Sequence, residues 1–386
     1  MPHLNRPLNL LVVTCDQLRY DALGCTGSPV ARTPNLDRLA AQSVFFDRCF
    51  TQCPSCAPAR HTMATGRYPH AHGLTVGSRS PTPGLSQIAH ALEPLGYRRI
   101  DIGRCHWNDP LIGSSYDVSV ESKNWMSEMP TEVCERYAWE WQDTTRQTTG
   151  GPSTRTVEQH RGAYVSRHAI AQIEEAVLDH QPFFCWVDVT EPHPPFYPPR
   201  EFYEAIDQEA IQLPAQAAAL PPHPEIVARQ RQWSHLTETE IRQMTAAYHG
   251  LVSLADQYCG RLFDALEHLG VRQETIILWT ADHGDQMWEH RLFLKKCMFE
   301  GSVHVPLVVS VPGMPTLRRS ELVEHVDLFP TICELLGATC PESVQGRSLV
   351  PLLHAGSAPL EWRDAVFADL EDLKRLGFMV RKGHFI

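Results

Sequence analysis

The sequence predicts an α/β protein built on a doubly wound, mostly parallel sheet flanked by helices. Three observations carry this. Continuous apolar runs, Leu8 to Thr14 (LNLLVVT), Pro182 to Val189 (PFFCWVDV) and Thr275 to Thr280 (TIILWT), read as strands buried on both faces. Long helical stretches lie between such runs, Val157 to Asp179 and Thr237 to Leu269, the second with Gly270 as its stop. The resulting alternation of strand and helix is the signature of a parallel sheet with crossover helices.

In order along the chain, β-structure is expected first at Leu8–Thr14, ending in Cys15-Asp16-Gln17. Thr33-Pro34-Asn35 opens a helix from Leu36 to Gln42, with apolar spacing at Leu36, Leu39 and Ala40. Val44 to Phe50 is a strand, Leu85 to Leu95 an amphipathic helix, and Arg98 to Ile102 a short strand that ends in Gly103-Arg104-Cys105-His106. From Asn108 to about Ser153 the chain reads as an irregular, aromatic-rich loop excursion, with Trp125, Tyr137, Trp139 and Trp141. The Pro- and Ala-rich segment Gln212 to Pro224 reads as a surface insertion. Val305 to Val311 is a further buried strand, Asp327 to Leu336 a helix stopped by Gly337, and Ala365–Phe367 and Phe378–Arg381 are short strands. The division expected is a catalytic domain over 1–355, with insertions near 108–153 and 207–235, and an apparently truncated antiparallel subdomain begun over 356–386. A second subunit covering its edge would make the protein a homo-oligomer.

Composition narrows the function. Hydrophobic residues make up 43% of the 386, charged residues 20%, and the formal net charge is −11, so general binding to nucleic acid or to an anionic membrane is not expected. An anionic substrate would need a local positive pocket. No apolar run approaches the ~18 residues of a membrane span. The start, MPHLNRPLNLLVV, moves straight into a strand without a separable leader, and twelve cysteines scattered singly suit reduced thiols. A cytoplasmic location is the expectation.

The stretch Cys56-Ala57-Pro58-Ala59-Arg60 carries the most chemistry. Pro58 suits the first turn of a helix and Gly66 its end, which places Cys56 at a helix N-terminus, where free N–H groups and the dipole favour an anion. Arg60, one turn on, adds a planar cationic fork suited to sulfate or phosphate oxygens. The residues alone leave several roles for Cys56 open: a redox pair with Cys53, half of a zinc site, a thiolate nucleophile, or a buried structural cysteine. Two buried strands far apart in sequence end in Asp16-Gln17 and Asp282-His283. Oxygen ligands with one imidazole suit Ca²⁺, Mg²⁺ or Mn²⁺. Either pair alone is an ordinary helix cap; the argument rests on both lying at strand ends beside an anion cradle.

Cys56-x-Pro58-x-Arg60 followed by Thr65-Gly66-Arg67 resembles the signature of the type I sulfatases, a family of the alkaline phosphatase superfamily in which that cysteine is converted to formylglycine. The resemblance extends along nearly the whole chain. VVTCDQLRYDALGC is similar to the first strand with its acidic ligands, GRCH to Gly-Lys-x-His, EPHPPF to the His-containing loop, TADHGD to the second metal motif, and LFLKKCMFEG to a Lys-x-x-x-aromatic-Glu run. HVDLFPTICELLG and QGRSLVPLL are similar to a late helix and its following turn.

The resemblance implies that Asp16, Gln17, Asp282 and His283 hold one divalent ion, which the modified Cys56 also touches. Arg60 would hold the formylglycine, and His106, His193 and Lys295 would surround the transferred group. Lys295 is preferred to Lys296 because it lies four residues before Phe299. A hydrated aldehyde offers one hydroxyl to attack sulfur and a second whose deprotonation expels sulfate, so no water need attack the covalent sulfo-enzyme. The implied partners are a small sulfate ester and a formylglycine-generating enzyme.

The chain departs from the family pattern at Arg104, where lysine is usual, and at Gln17 and His283, where many arylsulfatases have Asp and Asn. The Gln and His pair is more similar to the choline-sulfatase and phosphonate monoester hydrolase branch. It lowers the ligand charge, favours Mn²⁺ over Ca²⁺, and makes phosphonate monoester or phosphodiester hydrolysis the alternative. An anion-binding pseudoenzyme that keeps its thiol is the non-catalytic alternative.

Overall fold

The computed structural model describes residues 7–76, 81–104, 115–145, 150–214, 224–356, 361–372 and 375–382. Nine described strands form one sheet: β1 (Asn9–Cys15), β2 (Val44–Phe50), β3 (Arg98–Gly103), β4 (Val118–Glu121), β5 (Phe183–Val189), β6 (Thr275–Ala281), β7 (His304–Ser310), β8 (Leu317–Arg319) and β9 (Val323–Glu324). Their spatial order is β4-β3-β5-β1-β6-β7-β2-β8, with β9 also beside β2. The five strands from β4 to β6 are parallel, and β7 runs antiparallel to both β6 and β2. Every residue of β1, β5 and β6 is buried, as their continuous apolar runs require.

From β1 the chain leaves to one side for β2 and returns on the other side for β3. The carboxyl end of β1 is therefore the reversal point of the sheet, where α/β proteins open a crevice. Register fixes which side chains share a face. Thr14 pairs with Asp188 on β5 and with Thr280 on β6, and Thr280 Oγ1 meets His325 at 3.2 Å. Cys15 points to the opposite face, its sulfur 3.8 Å from Cys259 in the helix Glu238–His268. That 31-residue helix packs with the helix Arg161–Leu178 and with α1 (Pro34–Ala40). The other helical group is α2 (Cys56–Thr65) with the helices Ile88–Leu92 and Leu328–Leu336. Asp16, two residues beyond Thr14, shares parity with the α2 side.

Several expected elements change in form. The segment expected as a loop excursion over 108–153 contains the edge strand β4 and a 15-residue helix, Thr131–Thr145. Trp125, fully buried, packs edge-on against Tyr137 of that helix. Its aromatic side chains are modest helix formers, so tertiary packing overrides a weak local signal. The helix expected over 85–95 is cut to Ile88–Leu92, with a 3₁₀ turn opening at Glu93 just before Pro94. The helix expected from Val157 begins at Arg161 after a 3₁₀ turn. Most of the Pro- and Ala-rich insertion lies outside the described residues, and its end forms the helix Pro224–Trp233. The two late strands are longer than expected and pair as an antiparallel ribbon, β10 (Ala365–Asp372) with β11 (Arg375–Lys382).

Candidate active site

The ladder of the central strands continues one residue past their ends. Asp16 N–H donates to the Val189 carbonyl at 3.0 Å, and Asp282 N–H to the Cys15 carbonyl at 3.3 Å. This brings Asp16 and Asp282 side by side. Gln17 then turns into the left-handed region (φ 72°), and its N–H donates to Asp282 Oδ1 at 3.0 Å. At Gly284 a Cβ would stand 2.0 Å from the Gly301 carbonyl, so only glycine lets the chain pass there.

α2 delivers the cysteine. Ser55 is extended at the N-cap, Cys56 is the first helical residue, and Gly66 closes the helix in the left-handed conformation. The Cys56 sulfur lies 2.8 Å from Lys295 Nζ, 3.3 Å from His283 Nε2 and 3.4 Å from Asp16 Oδ1. Arg60, one turn on, does not face an open cradle. Its guanidinium is 1% exposed and lies against three carboxylates: Asp188, Asp282 Oδ2 at 3.2 Å and Asp16 Oδ2 at 3.4 Å. Arg104 reaches the same Asp16 oxygen at 3.2 Å. His193 lies on the loop after β5, its Nδ1 2.7 Å from the Pro194 carbonyl and its ring stacked on Trp141 at 5.9 Å and 7°. His106 lies outside the described residues.

Burial and neighbours set the charges. Burial pushes Asp16 up, as does the Cys56 sulfur, yet Lys295 and Arg104 help hold it at about 2; His193 adds to this only when protonated. Asp282 is raised by burial and by Asp16 beside it. Asp188 is raised to about 6 by burial despite Arg60. Burial pulls Lys295 down, but Cys56 and Asp16 outweigh it and keep the ammonium charged. Burial lowers His193 to about 4, so it is neutral at neutral pH.

The donor set fits a divalent cation. Atoms of Asp16, Cys56, Asp282 and His283 all lie within 4.8 Å of one another. Gln17 Oε1 is buried without a hydrogen-bond partner, the state expected of an atom shaped to face an ion. His283 Nδ1 lies 2.9 Å from the Gly284 carbonyl; donating there, it leaves Nε2 free to ligate. Cys53 and Cys56 are not joined by a disulfide, and Cys53 is buried with its thiol driven well up by burial, which does not suit a redox pair.

Three residues that sequence reasoning missed complete the construction. Asp188 lies within β5, where a carboxylate in an apolar strand was the available signal. Asp285 accepts from Gln17 Nε2 with one oxygen, and from the N–H groups of Met287 at 2.9 Å and Leu294 at 3.0 Å with the other. Arg229 donates to the carbonyls of Lys295 at 2.7 Å, Lys296 at 2.9 Å and Phe293 at 3.3 Å. Leu294 and Lys296 both have positive φ, 65° and 66°, so Lys295 is held between two strained residues. A cleft of about 520 Å³ opens above, lined by Gln17, Trp141, His193, Trp233, Lys295 and Leu370 among others.

The family model described as Sulfatase matches residues 8–338. The chain is 28% identical over 408 residues to the multifunctional alkaline phosphatase superfamily protein PehA of Trinickia caryophylli, covering 92% of this chain and 78% of that one. It is 26% identical over 368 residues to a choline-sulfatase of Rhizobium meliloti, covering 90% of this chain and 71% of that one. The fold is that of a phosphonate monoester hydrolase from Silicibacter pomeroyi, with a TM-score of 0.79 at 23% identity over 97% of this chain and 89% of that one. A match over most of the chain, on this fold, means that the chain belongs to the sulfatase family of the alkaline phosphatase superfamily and is a sulfuric ester hydrolase.

Proposed function

We propose that the site hydrolyses sulfate monoesters with Cys56, in its formylglycine form, as the nucleophilic residue. The observation that carries this is the position of Cys56: first residue of a buried helix, within reach of Asp16, His283 and Lys295 together. Asp16, Gln17, Asp282 and His283 would hold the metal, and the neutral Gln17 and His283 favour Mn²⁺ over Ca²⁺. Together the ion and an aldehyde hydrate at position 56 supply an oxygen nucleophile of lowered pKa and a route to release sulfate without water attack.

The other residues have separable tasks. Arg60 neutralises the acids beneath the site and braces α2 against β5 and β6. Lys295 offsets the charge of the transferred group and, through its ammonium, donates to its oxygens. His193 has Nδ1 committed to the Pro194 carbonyl, so its other nitrogen, unprotonated in the neutral ring, can only accept a proton at the reacting group, and the Lys295 ammonium would give the leaving oxygen its proton. Arg104 supplies charge where relatives place lysine, with a fork that can span two oxygens. His106 is assigned to the proton on the second hydroxyl from its place in the GRCH motif.

A second reading, phosphonate monoester or phosphodiester hydrolysis, is favoured by the reduced charge of the Gln17 and His283 pair and by the likeness to PehA. The test is a metal-supplemented assay of aryl, alkyl, sugar and choline sulfates beside phosphonate monoesters and phosphodiesters. Sulfate-ester turnover that chelation abolishes is the expected outcome. Phosphonate or phosphodiester rates far above every sulfate ester would establish the second reading instead.

A further inference from the structure

A half-buried guanidinium stands near Arg104, one aromatic ladder away from the cleft. Arg161 is the first residue of the helix Arg161–Leu178. Its guanidinium lies over two aromatic rings, 4.7 Å from the centroid of Tyr137 and 5.7 Å from that of Trp125. Its Nε is buried with no hydrogen-bond partner, and no carboxylate among the described residues forms an ion pair with it. Of the acids nearby, Glu140 is engaged elsewhere, and Glu191, close enough for its charge to favour the Arg161 cation, makes no ion pair with it. Glu140 accepts from Arg136, Ser153 and Arg155. Glu191 accepts the Gly162 N–H at 3.3 Å and lies 3.9 Å from His160.

The rings that hold Arg161 lead to the reacting centre. Tyr137 stacks on Trp141 at 6.5 Å, one turn along the same helix, and Trp141 stacks on His193 at 5.9 Å. Arg161 thus stands at the outer end of an aromatic ladder whose inner end is the His193 ring. Burial, with the like charges of Arg104 and Arg155, outweighs Tyr137 and Glu191 and weighs against its cationic form, a cost that an incoming anion would offset. A guanidinium pinned flat against aromatic faces has lost its rotamer freedom beforehand and presents its N–H edge as a fork for an oxyanion.

We propose that Arg161 is a second anion subsite, and that the preferred sulfate ester carries another anionic group, carboxylate or sulfate, on its leaving group. This rests on the reading of the site as a sulfatase. Because the whole protein carries a net charge of −11, selectivity for such an ester has to come from a local contact of this kind.

The test uses aryl sulfates bearing a tethered carboxylate, a tethered second sulfate, or the size-matched methyl ester, with tethers of increasing length. The wild-type enzyme is expected to prefer one anionic series at a defined tether length, which also tells carboxylate from sulfate. In Arg161→Gln, kcat/KM for that series should fall by roughly tenfold to a hundredfold, while the methyl ester changes by less than about twofold. Arg161→Lys should recover part of the preference. No anionic preference in the wild type, or equal losses on charged and neutral esters in both variants, would overturn the proposal. If the wild type hydrolysed no sulfate ester, the sulfatase reading would fall by itself. Calorimetric binding of the matched, non-hydrolysable sulfonates would then decide the subsite by the same comparison.

Discussion

At the scale of single residues, the site is a balance of buried charge. Asp16, Asp188 and Asp282 converge on Arg60, while Lys295 and Arg104 approach Asp16 from the open side. Lys295→Met should lower kcat by about 10²–10⁴ with helical content unchanged, measured by steady-state kinetics and circular dichroism. Asp285 acts through Gln17, whose amide it holds with Oε1 left free. Asp285→Asn, by presenting a donor to that amide, should weaken divalent-ion binding by about tenfold to a hundredfold, read by metal titration of the purified protein. An unchanged metal affinity would show that Gln17 is oriented by something else. Asp16, Gln17, Asp282 and His283 were legible in the sequence because each pair directly follows a strand too apolar to belong anywhere but the centre of a sheet. Asp188 was not, since it lies inside its strand and only register shows that it meets Arg60. Arg229 was not, because it clamps backbone carbonyls, which leave no residue pattern.

At the scale of elements, two pieces aim the chemistry: α2 and the loop around Lys295. α2 ends at Gly66, with φ 64°, where a Cβ would stand 2.8 Å from Val344 and 2.9 Å from Phe329. Gly66→Ala should therefore cost about 1–3 kcal/mol of stability, measured by denaturant unfolding. The Lys295 loop is held from outside by Arg229 on the helix Pro224–Trp233. Arg229→Ala should reduce kcat at least about tenfold, since a small displacement of a catalytic group is costly, while the melting temperature moves little. α2 was legible from Pro58 and Gly66, both punctuation marks with a mechanism. The helix Thr131–Thr145 was not, because its stripe of Val133, Tyr137 and Trp141 is made of β-branched and aromatic residues that favour strands as readily as helices.

At the scale of the whole molecule, the strand order puts β1 at the reversal point of the sheet, and the described site residues gather around that end. The antiparallel direction of β7 was not legible, because a buried apolar run reads the same in either direction. The protein also buries histidines that stay neutral. Burial lowers His72 and His325 to about 3, and His249 and His304 to about 4. The unfolded chain, with histidines near ~6.5, takes up protons first as pH falls, so stability is full above that value and is lost progressively below it. Buried carboxyls raised to about 6, Asp188 and Asp256, pull the other way over the same range, so the histidine share is read as a difference: from about pH 6.5 to pH 4 the melting temperature of His304→Gln should fall less than that of the wild type, and an equal fall would mean that this ring is hydrated or paired. The whole account meets at position 56, and the most direct test is the mass spectrum of the peptide containing that residue, from protein made in its native host. The account predicts an aldehyde in place of the thiol-bearing carbon, in molecules whose sulfate-ester turnover scales with the aldehyde fraction. Finding only the unmodified thiol in fully active protein would contradict it.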